Sequence, residues 1–280
     1  MASVTQPAPR VSVCIPTYKG AATIGPAIAS VLAQTFADFE LLVIDDGSPD
    51  GTADVVAGFS DPRLRYLRNP VNLGPEGNWN RCLDEARGHY FKLLPHDDLL
   101  RADCLARQVA VLDADPSKQL ALVFSSRDVL GPSGRRLTTR GYPDASAERL
   151  ASADVCVACA RRGTNLLGEP GAVMFRRELA TLVGQFDARD PYVIDLDYWF
   201  RLLAHGDAWY VAEPLASFRV SANQWSVLLG QQQSEDFRRC VARHSPHWPR
   251  PLGALDSLLA RITPGMNNLA RRLFYSVYLR

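Results

Sequence analysis

The amino-acid sequence predicts an α/β fold: a doubly wound, mixed but mostly parallel sheet flanked by helices, with a helical C-terminal extension. Three observations carry this. Apolar runs and helical patterns alternate regularly from residue 11 to about residue 94, the mark of βαβ units. The strand-like runs break at Pro, Gly or consecutive Asp residues, as chain leaving a strand end does. The chain has 280 residues, 47% hydrophobic and 22% charged, which suits one substantial core.

The elements follow in order. Val11–Pro16 (VSVCIP) reads as a first strand and Ile24–Gln34 as a helix. Glu40–Ile44 is a second strand, ending at Asp45-Asp46-Gly47-Ser48. Asp50 is placed to cap a second helix that runs to about Gly58. Arg63–Leu67, Trp79–Ala86 and Tyr90–Leu94 then read as strand, helix and strand. Beyond residue 125 the pattern loosens. Gly131–Gly134 marks a hairpin turn, 146–160 a helix, Ala172–Phe175 a strand and Leu196–Ala204 a helix. Trp209–Val211 and Leu215–Val220 read as two strands, and the chain from Gln224 as helices interrupted by Pro246, Pro249, Pro251 and Pro264. The expected organisation is a catalytic domain over 10–222, with halves at about 10–125 and 126–222, and an extension over 223–280.

Thirty-one basic residues against thirty acidic ones argue against nucleic acid as a partner. The last 60 residues depart from this balance, with eight Arg against three acids. The six cysteines are scattered, and Cys156 and Cys159 form a lone CxxC without a second pair to complete a zinc site. The first residues, MASVTQPAPR, lack an apolar signal-peptide region, and no stretch is long and apolar enough to span a bilayer. The expected location is the cytoplasm, extending to the inner face of the membrane.

Open α/β sheets bind ligands beyond the carboxyl ends of their strands. Here those ends carry Thr17 and Tyr18, then Asp45 and Asp46, then His96, Asp97 and Asp98. Adjacent carboxylates raise one another's pKa unless a cation or donors compensate, and oxygen ligands favour Mg²⁺ or Mn²⁺. Two acidic pairs at one edge therefore point to a divalent cation and a hydroxyl-rich ligand.

The residues also carry a resemblance. VSVCIPTYKGAATIGPAIASVLAQTFADFELLVIDDGSPDGT and NPVNLGPEGNWNRCLDEARGHYFKLLPHDDLL resemble the nucleotide-binding half of the inverting glycosyltransferase family 2, which has the GT-A fold. GEPGAVMFRRELATLVGQFD and YVIDLDYWFRLLAHGDAWYVAEPLASFRV resemble its acceptor half. The resemblance covers roughly residues 10–222. It implies transfer of a sugar from a nucleotide-diphosphate donor (UDP-, GDP- or dTDP-sugar) to an acceptor hydroxyl, with inversion. The acceptor would be a glycan, a lipid-linked sugar or another glycoconjugate.

By the same resemblance, Pro16, Thr17 and Tyr18 would cradle the nucleotide base, with the Tyr18 ring stacking on it. Asp46 would accept a hydrogen bond from the base beside Asp45, while Asn78 either lines the nucleotide pocket or serves as a loop and cap residue. Asp97 would contact the ribose and Asp98 would ligate the metal, with His96 a further candidate ligand. Asp195 falls at the catalytic base, with Asp197 as its alternative. Three positions depart from the family pattern: Pro95 for an acid, Ile194 for Glu and Ser221 for His. They leave a catalytically impaired, sugar-nucleotide-binding or scaffold protein as the alternative. A sugar nucleotidyltransferase fits less well, because PTYKGAA offers only Lys19 and Gly20 where that chemistry needs a Gly-rich basic loop.

Near the C-terminus, Met266, Leu269, Ala270, Leu273 and Val277 recur at helical spacing, widened by Phe274 and Tyr278. Such a stripe either lies on an anionic membrane or packs on the catalytic domain or a second copy of the chain. Packing is the expectation.

Overall fold

A computed structural model describes residues 8–221, 229 and 232–278. The N-terminal seven residues, the expected domain boundary at 222/223 and the expected helix start at Gln224 lie outside the described residues. The first half runs β1 (Val11–Thr17), α1 (Ile24–Leu32), β2 (Phe39–Asp45), α2 (Thr52–Ala57), β3 (Leu64–Arg68), α3 (Gly74–Glu85), β4 (Tyr90–Leu93), β5 (Leu99–Leu100) and α4 (Cys104–Asp113). The second runs β6 (Leu120–Leu130), β7 (Arg136–Arg140), β8 (Glu148–Leu150), α5 (Ser152–Arg162), β9 (Val173–Arg176), α6 (Ala180–Val183), α7 (Ile194–Leu203) and β10 (Asp207–Arg219). Two further helices follow, α8 (Gln233–His244) and α9 (Ala254–Tyr278).

All ten strands join one sheet, with main order β3-β2-β1-β4-β9-β6-β10-β5. β1 to β4 run parallel, β9 is antiparallel to both of its neighbours, and β10 is parallel to β6. The order turns back on itself between β1 and β4. A crevice opens at such a switch point beyond the strand carboxyl ends, which here are Thr17 and Leu93.

Helices cover both faces. Along β1, Val11, Val13 and Ile15 join the apolar layer with α1 and α4, while Cys14 joins the opposite layer with α3, α5 and α7. This is the alternation a strand buried on both sides must show. All six cysteines are buried and none is disulfide-bonded; burial raises the Cys156 and Cys159 thiols, the latter to about 12.

Four expected elements are corrected. α3 begins at Gly74 rather than Trp79, because the Leu73 and Gly74 N–H groups at its start are satisfied by the distant carboxylate of Asp46. The region expected as one helix over 146–160 is a short strand followed by a helix, with the Ser152 N–H held by Asp207. The two strands expected over 209–220 are one strand, bulged at Glu213 and Pro214, since an irregular register absorbs the proline's missing donor. Pro264 does not interrupt its helix: α9 continues through it, anchored by Thr263 and Asn267 side chains that donate to carbonyls at 161–163.

Candidate active site

One side of the crevice is built by the ends of β1 and β2. The Asp46 N–H donates to the Thr17 carbonyl at 2.8 Å, tying the two strand ends together. Thr17 is buried, and its hydroxyl has no hydrogen-bond partner, an uncommon state for a buried polar atom. Tyr18, next in the chain, is 41% exposed, with the Lys19 ammonium over its ring at 5.2 Å from the centroid. Gly20 lies so close to this corner that a Cβ there would sit 2.2 Å from Thr17 Oγ1 and 3.2 Å from the His96 ring. Only glycine fits.

The Asp45-Asp46 pair is more structural than the sequence suggested. Asp45 is fully buried and accepts from the Ser48 N–H at 2.9 Å and the Tyr66 hydroxyl at 2.6 Å. Asp46 accepts on Oδ1 from Asn69 Nδ2 and the Leu73 N–H, and on Oδ2 from the Gly74 N–H. It therefore shapes the 69–74 segment that borders the crevice. Asn78, a candidate to line the pocket, instead spends its amide on the fold: Nδ2 donates to the Ile44 carbonyl and Oδ1 accepts from Asn69.

After β4 the chain turns through Pro95, His96 and Asp97 to Asp98. Asp98 is 2% exposed and its Oδ1 accepts from the Arg219 N–H at 2.9 Å, while Arg219 Nε donates to the Asp97 carbonyl at 3.1 Å. Burial and then the neighbouring Asp97, with a share from Glu169, push the Asp98 carboxyl well above its ordinary range. The ionisation of this buried carboxyl is thus opposed by its acidic neighbours and favoured by Arg219. Such a set of hard oxygen donors fits a divalent cation. His96 turns toward Gly20 and is half-buried.

Asp195 sits in the first turn of α7. Its Oδ1 accepts from the Leu196 N–H at 2.7 Å and its Oδ2 from Asn165 Nδ2 at 3.0 Å. Burial, and after it the charge of Glu169, hold its carboxyl up at about 7 against the stabilising bonds from Leu196 and Asn165. Glu169 is kept ionised against the cost of its burial chiefly by Arg127, whose Nε donates to it at 2.7 Å. The same Arg127 reaches the Asn165 carbonyl at 3.4 Å, and Asn165 in turn ties down Gly168 through both of its amide atoms. The loop that carries Glu169 touches both carboxyls: Asn165 donates to Asp195, and a Cβ at Gly171 would sit 3.9 Å from Asp98 Oδ2.

Asp197 belongs to a different environment. It is 3% exposed and takes bonds from Arg201, Arg243 and His244 at 2.8–2.9 Å. Burial opposes its ionisation, but the His244 bond and the Arg201 charge win, and its carboxyl falls to about 2. A carboxylate that acidic and that occupied makes a poor proton acceptor, so Asp197 is a structural anchor rather than a second base. Cys240 also lies close to Asp197 and His244. The two guanidinium groups there compensate the carboxylate and disfavour a cation.

Nothing in the sequence singled out Arg127, Asn165 or Arg219, while Glu169 falls in the GEPG turn of the stretch that resembles the acceptor half. GEPG reads as a turn, and nothing in local periodicity says that Arg127, some forty residues away, will clamp it. The hollow lined by Arg10, His89, Lys118, Arg176 and Glu178 lies at the opposite, amino ends of β1 and β4. Of its cations, Arg10, Lys118 and Arg176 are paired with Asp113, Glu178 and Asp115, and Arg177 donates to the Gly88 carbonyl.

The family profile for glycosyl transferase family 2 matches residues 12–167. An uncharacterized protein of Mycobacterium tuberculosis, MT1568, is 33% identical over 226 residues, covering 79% of this chain and 70% of its own. An Escherichia coli protein described as UDP-Glc:alpha-D-GlcNAc-diphosphoundecaprenol beta-1,3-glucosyltransferase WfgD is 40% identical over 102 residues, 36% of this chain and 40% of its own. Among solved structures, the mannosyltransferase PcManGT from Pyrobaculum calidifontis in complex with GDP-Man and Mn²⁺ superposes with a TM-score of 0.62 at 19% identity, over 95% of this chain and 76% of that one. That likeness bears on the fold.

Proposed function

The chain belongs to glycosyl transferase family 2, and on that premise we propose that it transfers a sugar, with inversion, from a nucleotide-diphosphate donor to a hydroxyl of a glycan or lipid-linked acceptor. The observation that carries this reading is the loop over residues 165–171, which donates from Asn165 to Asp195 and comes close enough to Asp98 that a Cβ at Gly171 would sit 3.9 Å from Asp98 Oδ2.

Thr17 offers its unpartnered hydroxyl and Tyr18 its exposed ring to the nucleotide base, beside Pro16. Asp46, with one bond on Oδ2, has capacity left for a base N–H. Asp97 is assigned to the ribose, and Asp98, with His96 a secondary candidate, to a divalent cation. When bound, such a cation offsets the charge that develops on the departing diphosphate. Asp195 takes the acceptor hydroxyl's proton as the oxygen attacks the anomeric carbon from the face opposite the leaving group. The new C–O bond forms as the old one breaks, and its electron pair leaves on the nucleoside diphosphate. Asn165 and the Leu196 N–H fix the direction of the carboxylate, and Glu169 keeps it basic enough to hold the proton.

Residues 10–222 would be the catalytic unit, working in the cytoplasm in polysaccharide or glycolipid synthesis. WfgD's described activity supports UDP-sugars, and the PcManGT complex supports GDP-sugars and Mn²⁺. The test is release of nucleoside diphosphate from UDP-, GDP- and dTDP-sugars with Mn²⁺, with and without acceptor glycolipids. Release from one donor that Asp195→Asn abolishes supports the proposal. Donor binding without release, in the wild type and with every acceptor tried, would favour the scaffold alternative.

A further inference from the structure

α9 does not pack its apolar stripe on the catalytic domain. Its inner face, with Ala260 and Pro264 buried, lies on α5 and α8. Gly163, in the left-handed conformation that ends α5, lets the helices approach so closely that a Cβ there would sit 2.5 Å from Pro264 N. The outer face presents Leu255, Leu258, Ile262, Met266 and Leu269, each between 47% and 64% exposed. Their spacing of three or four residues puts all five on one side of the helix. Of the stripe read from the sequence, Met266 and Leu269 lie on this outer face, and Val277 lies outside the described side chains.

The charges beside this stripe say what covers it. Arg261 and Arg272 are exposed and lie along one of its edges, eleven residues or three turns apart. No acid occurs from Ser257 to the end of the chain, and Asp256 is held by Arg161 at 2.7 Å. Two copies of α9 meeting antiparallel would set this arginine edge against its own copy with no carboxylate to answer it. An anionic lipid surface answers it directly, with headgroups for the guanidinium groups and acyl chains for the leucines. We propose that the outer face of α9 docks the enzyme on an anionic bilayer. α8 and α5, the helices beneath α9, also flank α7, the helix that carries Asp195.

The test is sedimentation of the full chain with vesicles, a readout that does not depend on the donor or on activity. The expected result is binding to phosphatidylcholine vesicles containing phosphatidylglycerol, weak binding to phosphatidylcholine alone, and release at high salt. Ile262→Asp with Met266→Asp should reduce binding to the phosphatidylcholine level. Thermal unfolding should be unchanged, because both side chains are exposed. Arg261→Ala with Arg272→Ala should weaken binding only to the anionic vesicles. Absence of vesicle binding by the wild type would overturn the proposal. So would a dimer in lipid-free buffer that the Asp variants dissociate, which would assign the face to a second copy.

Discussion

At the scale of single residues, Asp195 and Asp197 show how two carboxylates about half a helical turn apart are given opposite acidities. Asp197 is surrounded by cations and loses its basicity; Asp195 is desolvated near Glu169 and gains it. Replacing Asp195 by Asn should lower kcat by roughly two to four orders of magnitude while donor affinity is kept, as steady-state rates and calorimetric titration would read. Because the base works only when deprotonated, wild-type kcat/KM should rise as pH passes through about 7. A carboxyl raised in the folded state also costs stability as pH rises from its unfolded value toward that point. Asp195→Asn should therefore unfold at the same or a higher temperature than wild type at pH 8, a result that separates lost chemistry from lost structure. Glu169→Gln removes a negative charge facing Asp195, so the acidic limb of the pH–rate profile should move to lower pH. An unmoved limb would take Glu169 out of the base's environment.

At the scale of elements, the Asp197 cluster joins α7 to α8. Arg201 bonds it from its own helix, while Arg243 and His244 reach it from the next, and Arg243 also holds Asp190. Asp197→Ala leaves these cations facing a buried gap, a change that costs roughly 3–5 kcal/mol when a buried pair loses one member. Its depressed carboxyl contributes stability that is complete above about pH 4 and lost as pH falls toward 2, and acid unfolding followed by circular dichroism should show this loss flattened in the variant. The elements themselves were readable where one local rule governs them. β1, β2 and β4 are apolar runs ending in polar turns, and the first acidic pair stands at the end of β2, the second just beyond β4. What escaped the sequence depends on distant partners. The early start of α3 rests on Asp46, nearly thirty residues upstream, and the grip on Asp195 rests on Asn165 in a loop pinned by Arg127. A pattern of neighbours carries no information about such bonds.

At the scale of the whole molecule, the sheet order matters more than any single motif. Because β1 and β4 lie side by side with their chains departing in opposite directions, two segments eighty residues apart, Thr17-Tyr18 and Asp97-Asp98, meet at one crevice. β10 then closes the same edge, its Arg219 N–H on Asp98. Burial and the neighbouring carboxylates oppose the ionisation of Asp98 in this crevice before any ligand arrives, and a cation brought with a donor's diphosphate would favour it. Donor and metal should therefore stabilise the fold together more than either does alone, since a ligand that binds only the native state raises its stability with the logarithm of one plus the ratio of its concentration to its Kd. The measurement is a thermal-shift matrix of Mn²⁺ against UDP-, GDP- and dTDP-sugars. A nucleotide sugar that raises the melting temperature only with Mn²⁺ is the expected result. Asp98→Ala should abolish that dependence while leaving the unliganded melting temperature unchanged or higher, because a buried carboxylate without its cation is a cost to the fold. Equal shifts in chelator and in Mn²⁺ would mean that Arg219, rather than a metal, answers the diphosphate.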